Sequence, residues 1–227
     1  LVLLDVAYDE GEPERYAIPL QIVGGDVAAE RLEAAPGSVV ARLREPTRSA
    51  DGGVGSATDD GGVGPLLVDA AYDPVVADGL LALVAGRRRL HGRTGAVVGR
   101  ATHLFRTLRG STSEPLAVTP LRAEQSNTSL VFGDRFILKL YRVLEAGENP
   151  DLELGRFLTE RGFPNVPAVA GFLEYRAADG TPSTLAVLQA YVPNEGDLWD
   201  VTLDAVDAFF EAALAEPVVP TVDEPTT

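Results

Sequence analysis

No cysteine and no methionine occur among the 227 residues, and histidine occurs only twice, at His91 and His103. The first absence excludes disulfides, thiolate metal ligands and thiol nucleophiles, and two histidines are too few for a histidine-based metal centre. Both histidines read as surface or quietly packed side chains. Basic residues are scarce as well. Lys and Arg number 19 against 34 Asp and Glu, a formal charge of -15. The acids are spread over the whole length, so nucleic acid and anionic membrane are poor partners, because both require a basic face. No apolar run approaches the roughly 20 residues that span a bilayer, and the N-terminus lacks the basic-then-apolar layout of a secretion signal. A cytoplasmic protein is expected. The chain opens on "LVLLDVAY", as if already inside a strand, and has no initiating methionine. It reads as a piece of a longer reading frame.

What is present suffices for a core, with 45% hydrophobic residues. "LVLLDVAYD", "RYAIPLQIV" and "GSVVARL" read as strands of an antiparallel meander over residues 1–43, with a short polar helix or loop before the last. From about Glu45 to Pro65 the chain turns to Gly, Asp and Ser with almost nothing to bury, which predicts a mobile loop. It lacks the Lys-Ser/Thr ending of a phosphate-cradling P-loop. In "AAYDPVVADGLLALVAGRRR", Asp73 is a plausible N-cap and Pro74 a first helical residue, with Val76, Leu80, Leu83 and Val84 on one side. The terminal arginines suit a helix C-terminus. Residues 92–105 suggest further strand, followed by a polar turn in "LRGSTSEP".

Two β-rich runs flank Gly133-Asp134-Arg135 in "NTSLVFGDRFILKLYR", the composition of a hairpin. Period 2 puts Ile137 and Lys139 on one face and Leu138 and Leu140 on the other. The following "GENPDLELGRFLTERGF" has Asn149 as N-cap, Pro150 at the first helical position and Gly162 as its stop. The helical period predicts a buried stripe of Leu154, Phe157 and Leu158, with Glu153 at its border and able to reach the sheet. A strand lysine and a helix glutamate of this kind can form the ion pair that sets an ammonium against the α and β phosphates of ATP. They are also the usual composition of a gatekeeper lysine and a helix-end acid.

Taken in order, "EQSNTS", the hairpin, "ILKLYR", "NPDLELGRFL", "VPAVAGFLEY" and "LAVLQAYVPNEGDLW" resemble actinobacterial maltokinases. These belong to the aminoglycoside-phosphotransferase branch of kinase-like proteins. "RYAIPL" and "DAAYDP" are similar to the family's N-terminal cap domain. The resemblance implies an α+β chain in which an antiparallel-sheet cap domain, residues 1–95, precedes a protein-kinase-like N-lobe, residues 96–195. An interlobe helix and disordered tail occupy 196–227. It implies ATP-dependent phosphorylation of maltose to maltose 1-phosphate, with Mg2+, and a possible fused or associated trehalose synthase. It assigns Ser126, Asn127 and Thr128 to a phosphate-covering loop, Lys139 to the phosphates, Glu153 to orienting Lys139, and Gln189, Ala190, Tyr191 and Val192 to an adenine hinge. Ala190 stands where the family commonly has an acid.

The family's His-x-Asp type catalytic loop and Asp-Phe metal motif are missing, so the resemblance assigns no catalytic and no metal-binding residue to this chain. Two other functions fit the same residues: a related glucosamine-type sugar kinase, and a standalone non-catalytic lobe that binds a partner.

Overall fold

The computed structural model describes residues 1–44, 47–48, 54–55, 64–111, 115–121, 127–194 and 198–215. Leu1–Tyr191 form one compact unit and Val192–Thr227 a second. The first begins with a hairpin, β1 (Val2–Val6) and β2 (Glu14–Ile18). β3 (Leu20–Val23), helix α1 (Gly25–Ala34) and β4 (Val39–Arg42) follow. β5 (Thr47–Arg48) and β6 (Val54–Gly55) pair with each other inside the segment expected to be a mobile loop, the remainder of which, up to residue 63, lies outside the described residues.

β7 (Leu66–Asp69) then enters between β3 and β4, giving a three-stranded antiparallel sheet in the order β3-β7-β4. The expected meander over 1–43 is thereby corrected: its strands divide between a hairpin and a second sheet whose middle strand comes from beyond the Gly-rich segment. The reason is burial. Leu66 and Val68 are fully buried with Val23 and Ala28, and a strand so apolar on one face belongs at a sheet's centre.

Helix α2 (Pro74–Ala85) is capped as its sequence predicts: the Asp73 side chain accepts from the amide of Val75, and Pro74 takes the first helical position. β8 (Arg89–His91), β9 (Gly95–Ala101), α3 (Phe105–Arg109) and β10 (Val118–Leu121) follow. β11 (Asn127–Phe132) and β12 (Phe136–Tyr141) form the expected hairpin, with Gly133 at φ +56° in its turn. Helix α4 (Pro150–Glu160), β13 (Val169–Ala177) and β14 (Pro182–Ala190) complete the unit.

Seven of these strands make one antiparallel sheet in the order β10-β11-β12-β14-β13-β9-β8. The chain is therefore an α+β protein built on antiparallel sheets. The large sheet takes in β8, which lies before the division expected at residue 95, so a cut there would separate β8 from its partner β9. Register assigns the two faces. Phe132, Phe136, Leu138, Leu140, Leu173 and Leu188 are fully buried on the face carrying α2 and α3, where Phe105 stacks on Phe136 at 5.3 Å. Gly99 and Gly171 let α2 approach closely, since a side chain at Gly99 would strike the Leu83 carbonyl and one at Gly171 the side chain of Val84.

The second unit contains helix α5 (Leu198–Ala215), which occupies the expected acidic amphipathic segment, and its last residues, 216–227, lie outside the described ones. Among the described residues no helix is long and apolar enough to cross a membrane.

Candidate functional site

Lys139 is the only lysine of the chain; the other 18 basic residues, 19 less one, are arginines. It lies on β12, the third strand after β10 and β11, half-buried and paired in register with Ser129 on one side and Val187 on the other. Its neighbours Leu138 and Leu140 point to the opposite, fully buried face, as the alternation predicts. The face of Lys139 is the one that carries α4. Gly155 of that helix abuts Val169, and the hydroxyl of Tyr141, two residues beyond Lys139, donates to Asp151 at 3.2 Å.

The capping of α4 follows its sequence: the Asn149 side chain accepts from the amide of Asp151 at 2.9 Å, and Gly162 leaves the helix at φ +66°. Its rotation does not follow the sequence. Leu152 is the buried residue, at 2% exposure, whereas Leu154 and Phe157 of the expected stripe are 60% and 49% exposed, and only Leu158 is half-buried. The stripe is corrected to Leu152, Gly155, Arg156 and Thr159. A Cβ on Gly155 would lie 3.0 Å from Val169 Cγ2, the Arg156 guanidinium sits 5.8 Å from the centre of the Phe172 ring, and Thr159 Oγ1 accepts from the amide of Val169 at 3.0 Å. A glycine in the helix admits the sheet more closely than leucines would, and the docking face turns with it.

Glu153 is consequently exposed, about 100° around the helix from Leu152. No ion pair joins it to Lys139: the described carboxylate pairs all involve arginine.

The segment expected to cover phosphate divides. Ser126 lies outside the described residues. Asn127 is half-buried at the start of β11, on the face of Lys139. Thr128 is 1% exposed and points to the other face, where its hydroxyl accepts from Arg142 Nε at 2.8 Å. Its side chain is thus engaged away from Lys139. The residue that register places directly beside Lys139 is Ser129, buried, the last of "EQSNTS" but not one of the three assigned to the phosphate-covering loop. The period-2 alternation that selected Lys139 would also have selected Ser129, once the pairing of the two strands about the Gly133-Asp134-Arg135 turn was counted.

Of the expected hinge, Gln189 is half-buried and pairs with Ile137 on the face of Lys139 and α4. The amide of Ala190 donates to the Ala168 carbonyl at 2.8 Å, and that of Tyr191 to the Arg135 carbonyl at 2.9 Å, so both are already committed. Val192 is exposed and belongs to the second compact unit. Among the described residues there is no group of three or more His, Asp or Glu side chains able to hold a metal ion.

No family model matches the chain. Solved structures of glucosamine kinase are similar to it. One crystal form has 18% identity and a TM-score of 0.42, over 88% of this chain and 34% of that one. A complex with glucosamine, ADP and inorganic phosphate has 18% identity and a TM-score of 0.41, over 88% and 35%. A second crystal form has 21% identity and a TM-score of 0.32, over 62% and 44%. This chain spans about a third of the length of the first two.

Proposed function

We propose that this chain is the nucleotide-binding part of an ATP-dependent sugar kinase. The observation that carries the reading is the setting of Lys139: the sole lysine, half-buried on the third strand of an antiparallel run, on the face that carries the next helix, with no carboxylate among the described residues ion-paired to it. In kinases a lysine of that strand holds the α and β phosphates of ATP, and a charge left half-buried without a carboxylate favours an anionic ligand.

The residues fit the nucleotide's phosphates in part. Lys139 would hold them, with Asn127 and Ser129 on the same face of the sheet, and bound ATP would supply the transferable phosphoryl group. Glu153 enters this reading as the acid that would meet Lys139 once a nucleotide is bound. Gln189, Ala190 and Tyr191 would border the base, with Gln189 the member on the face of Lys139. No described residues fit Mg2+, and no step is assigned to it. The sugar proposed is maltose, on the likeness of "EQSNTS" and "NPDLELGRFL" to maltokinases, with a trehalose synthase as the associated enzyme.

A single lysine makes the test direct. The chain is treated with an amine-acylating reagent with and without ATP, and acylation of Lys139 and of the α-amino group is read by peptide mass spectrometry. ATP is expected to slow acylation at Lys139 and leave the α-amino group unaffected, with AMP protecting less than ATP. Equal rates with and without ATP, while the chain remains folded by circular dichroism, would remove the nucleotide reading.

A further inference from the structure

We propose that the cleft between the C-terminal end of α2 and the start of α3 binds a small organic phosphate through Arg87, His103 and Arg106. The cleft has a volume of about 510 Å3, in the range of small-molecule sites and more than a bare phosphate fills. These three side chains line it together with Thr102 and Phe105, and no Asp or Glu does. In a chain with 34 acids and 19 Lys and Arg, a lining that holds two arginines and no acid runs against the composition. None of the three forms an ion pair with a carboxylate among the described residues.

A second observation singles out Arg87. Helix α2 ends with the amide of Arg88 donating to the Leu83 carbonyl and that of Arg87 to the Val84 carbonyl. This is a motif whose left-handed residue is ordinarily glycine. Helix α4 ends with the same pair of bonds, Phe163 to Leu158 and Gly162 to Thr159, and there the left-handed residue is Gly162. In α2 that position holds Arg87 at φ +49°, the one described non-glycine residue with positive φ, while Gly86 stands one residue too early at φ -83°. An L-residue is disfavoured in this conformation. Packing does not require this side chain, because Arg87 is exposed. What it contributes is a guanidinium to the cleft, whose planar fork matches two oxygens of a phosphate. Phe105, stacked on Phe136, also lines the cleft and offers an apolar wall for the organic part of the ligand.

The cleft lies on the sheet face of α2 and α3, opposite that of Lys139, so the inference does not rest on the nucleotide reading.

The test titrates the full chain with glucose 6-phosphate and with inorganic phosphate, following the two histidine imidazole signals by NMR. The His103 signal is expected to shift saturably with glucose 6-phosphate and less with inorganic phosphate, while the His91 signal stays fixed. R87G and R106A are each expected to weaken binding by about tenfold or more, and R89A, an exposed arginine that does not line the cleft, to leave it unchanged. R87G also guards against loss of folding, since glycine suits φ +49° and should hold or raise the thermal midpoint. The proposal is overturned by no saturable shift at about 10 mM ligand, by R87G binding as tightly as the parent, by R89A weakening binding as much as R87G, or by inorganic phosphate binding as tightly as glucose 6-phosphate.

Discussion

Arg142 clasps Asp69 with two bonds, Nη2 to Oδ2 at 2.8 Å and Nη1 to Oδ1 at 3.4 Å, while its Nε donates to Thr128 Oγ1 at 2.8 Å. Asp69 ends the central strand of the small sheet, and Thr128 lies in the large one, so one guanidinium joins the two. Both charged side chains are largely buried, at 17% and 27% exposure. Removing one partner would leave the other charge largely desolvated. R142M is expected to lower stability by about 2 to 3 kcal/mol, and R142K, which keeps the charge but loses the fork, by about half of that. Urea denaturation of the two variants decides it, and equal stability of R142M and the parent would show the clasp to be dispensable.

A methyl group at Gly99 would meet the backbone of Leu83 and Val84, which cannot swing aside as a side-chain end can. G99A should therefore cost about 3 kcal/mol, where G24A, with nothing within 4 Å and an extended φ of -137°, should stay within about 0.5 kcal/mol of the parent. Thermal unfolding of both variants measures the contrast. A small effect of G99A would mean that α2 lies further from β9 than described.

The rotation of α4 makes opposite demands on adjacent residues. L152A should lose about 3 kcal/mol, while L154A and E153A should each change stability by less than about 0.5 kcal/mol. If L154A proved the more damaging of the two leucine variants, the stripe read from the sequence would be the true docking face.

Two carboxyl groups of the first hairpin titrate below their ordinary range. The hydroxyls of Tyr16 and then Tyr8 donate to Glu14 and hold its carboxyl below 4.5, and the hydrogen bond from Arg15 holds that of Asp5 below 3.8. Folded values below the unfolded ones mean that their contribution is complete above those ordinary values and is lost as pH falls through the depressed ones. The acid limb of a stability-against-pH curve below about pH 4 should accordingly flatten in the D5N/E14Q variant. An unchanged acid limb would place the acid sensitivity elsewhere.

The hairpin at Gly133, the caps at Asp73 and Asn149 and the stop at Gly162 were legible in the sequence, because each depends on a few adjacent residues whose φ preference or side-chain oxygen acts locally. The placement of Lys139 was legible for the same kind of reason, since strand alternation needs no knowledge of the partner strand. The direction of the Thr128 side chain was not legible, because its face depends on register with β12, and that register brings Arg142, not Lys139, to its hydroxyl.

By itself, then, the sequence determined the local elements, the α+β character and the isolation of one lysine on an apolar strand. The tertiary structure decided what no local preference encodes. It turned α4 onto Gly155 in place of its leucines, because close backbone approach is a property of two elements at once. It drew β7 between β3 and β4, where Leu66 and Val68 are fully buried, because strand pairing across the long Gly-rich segment is set by contacts distant in sequence.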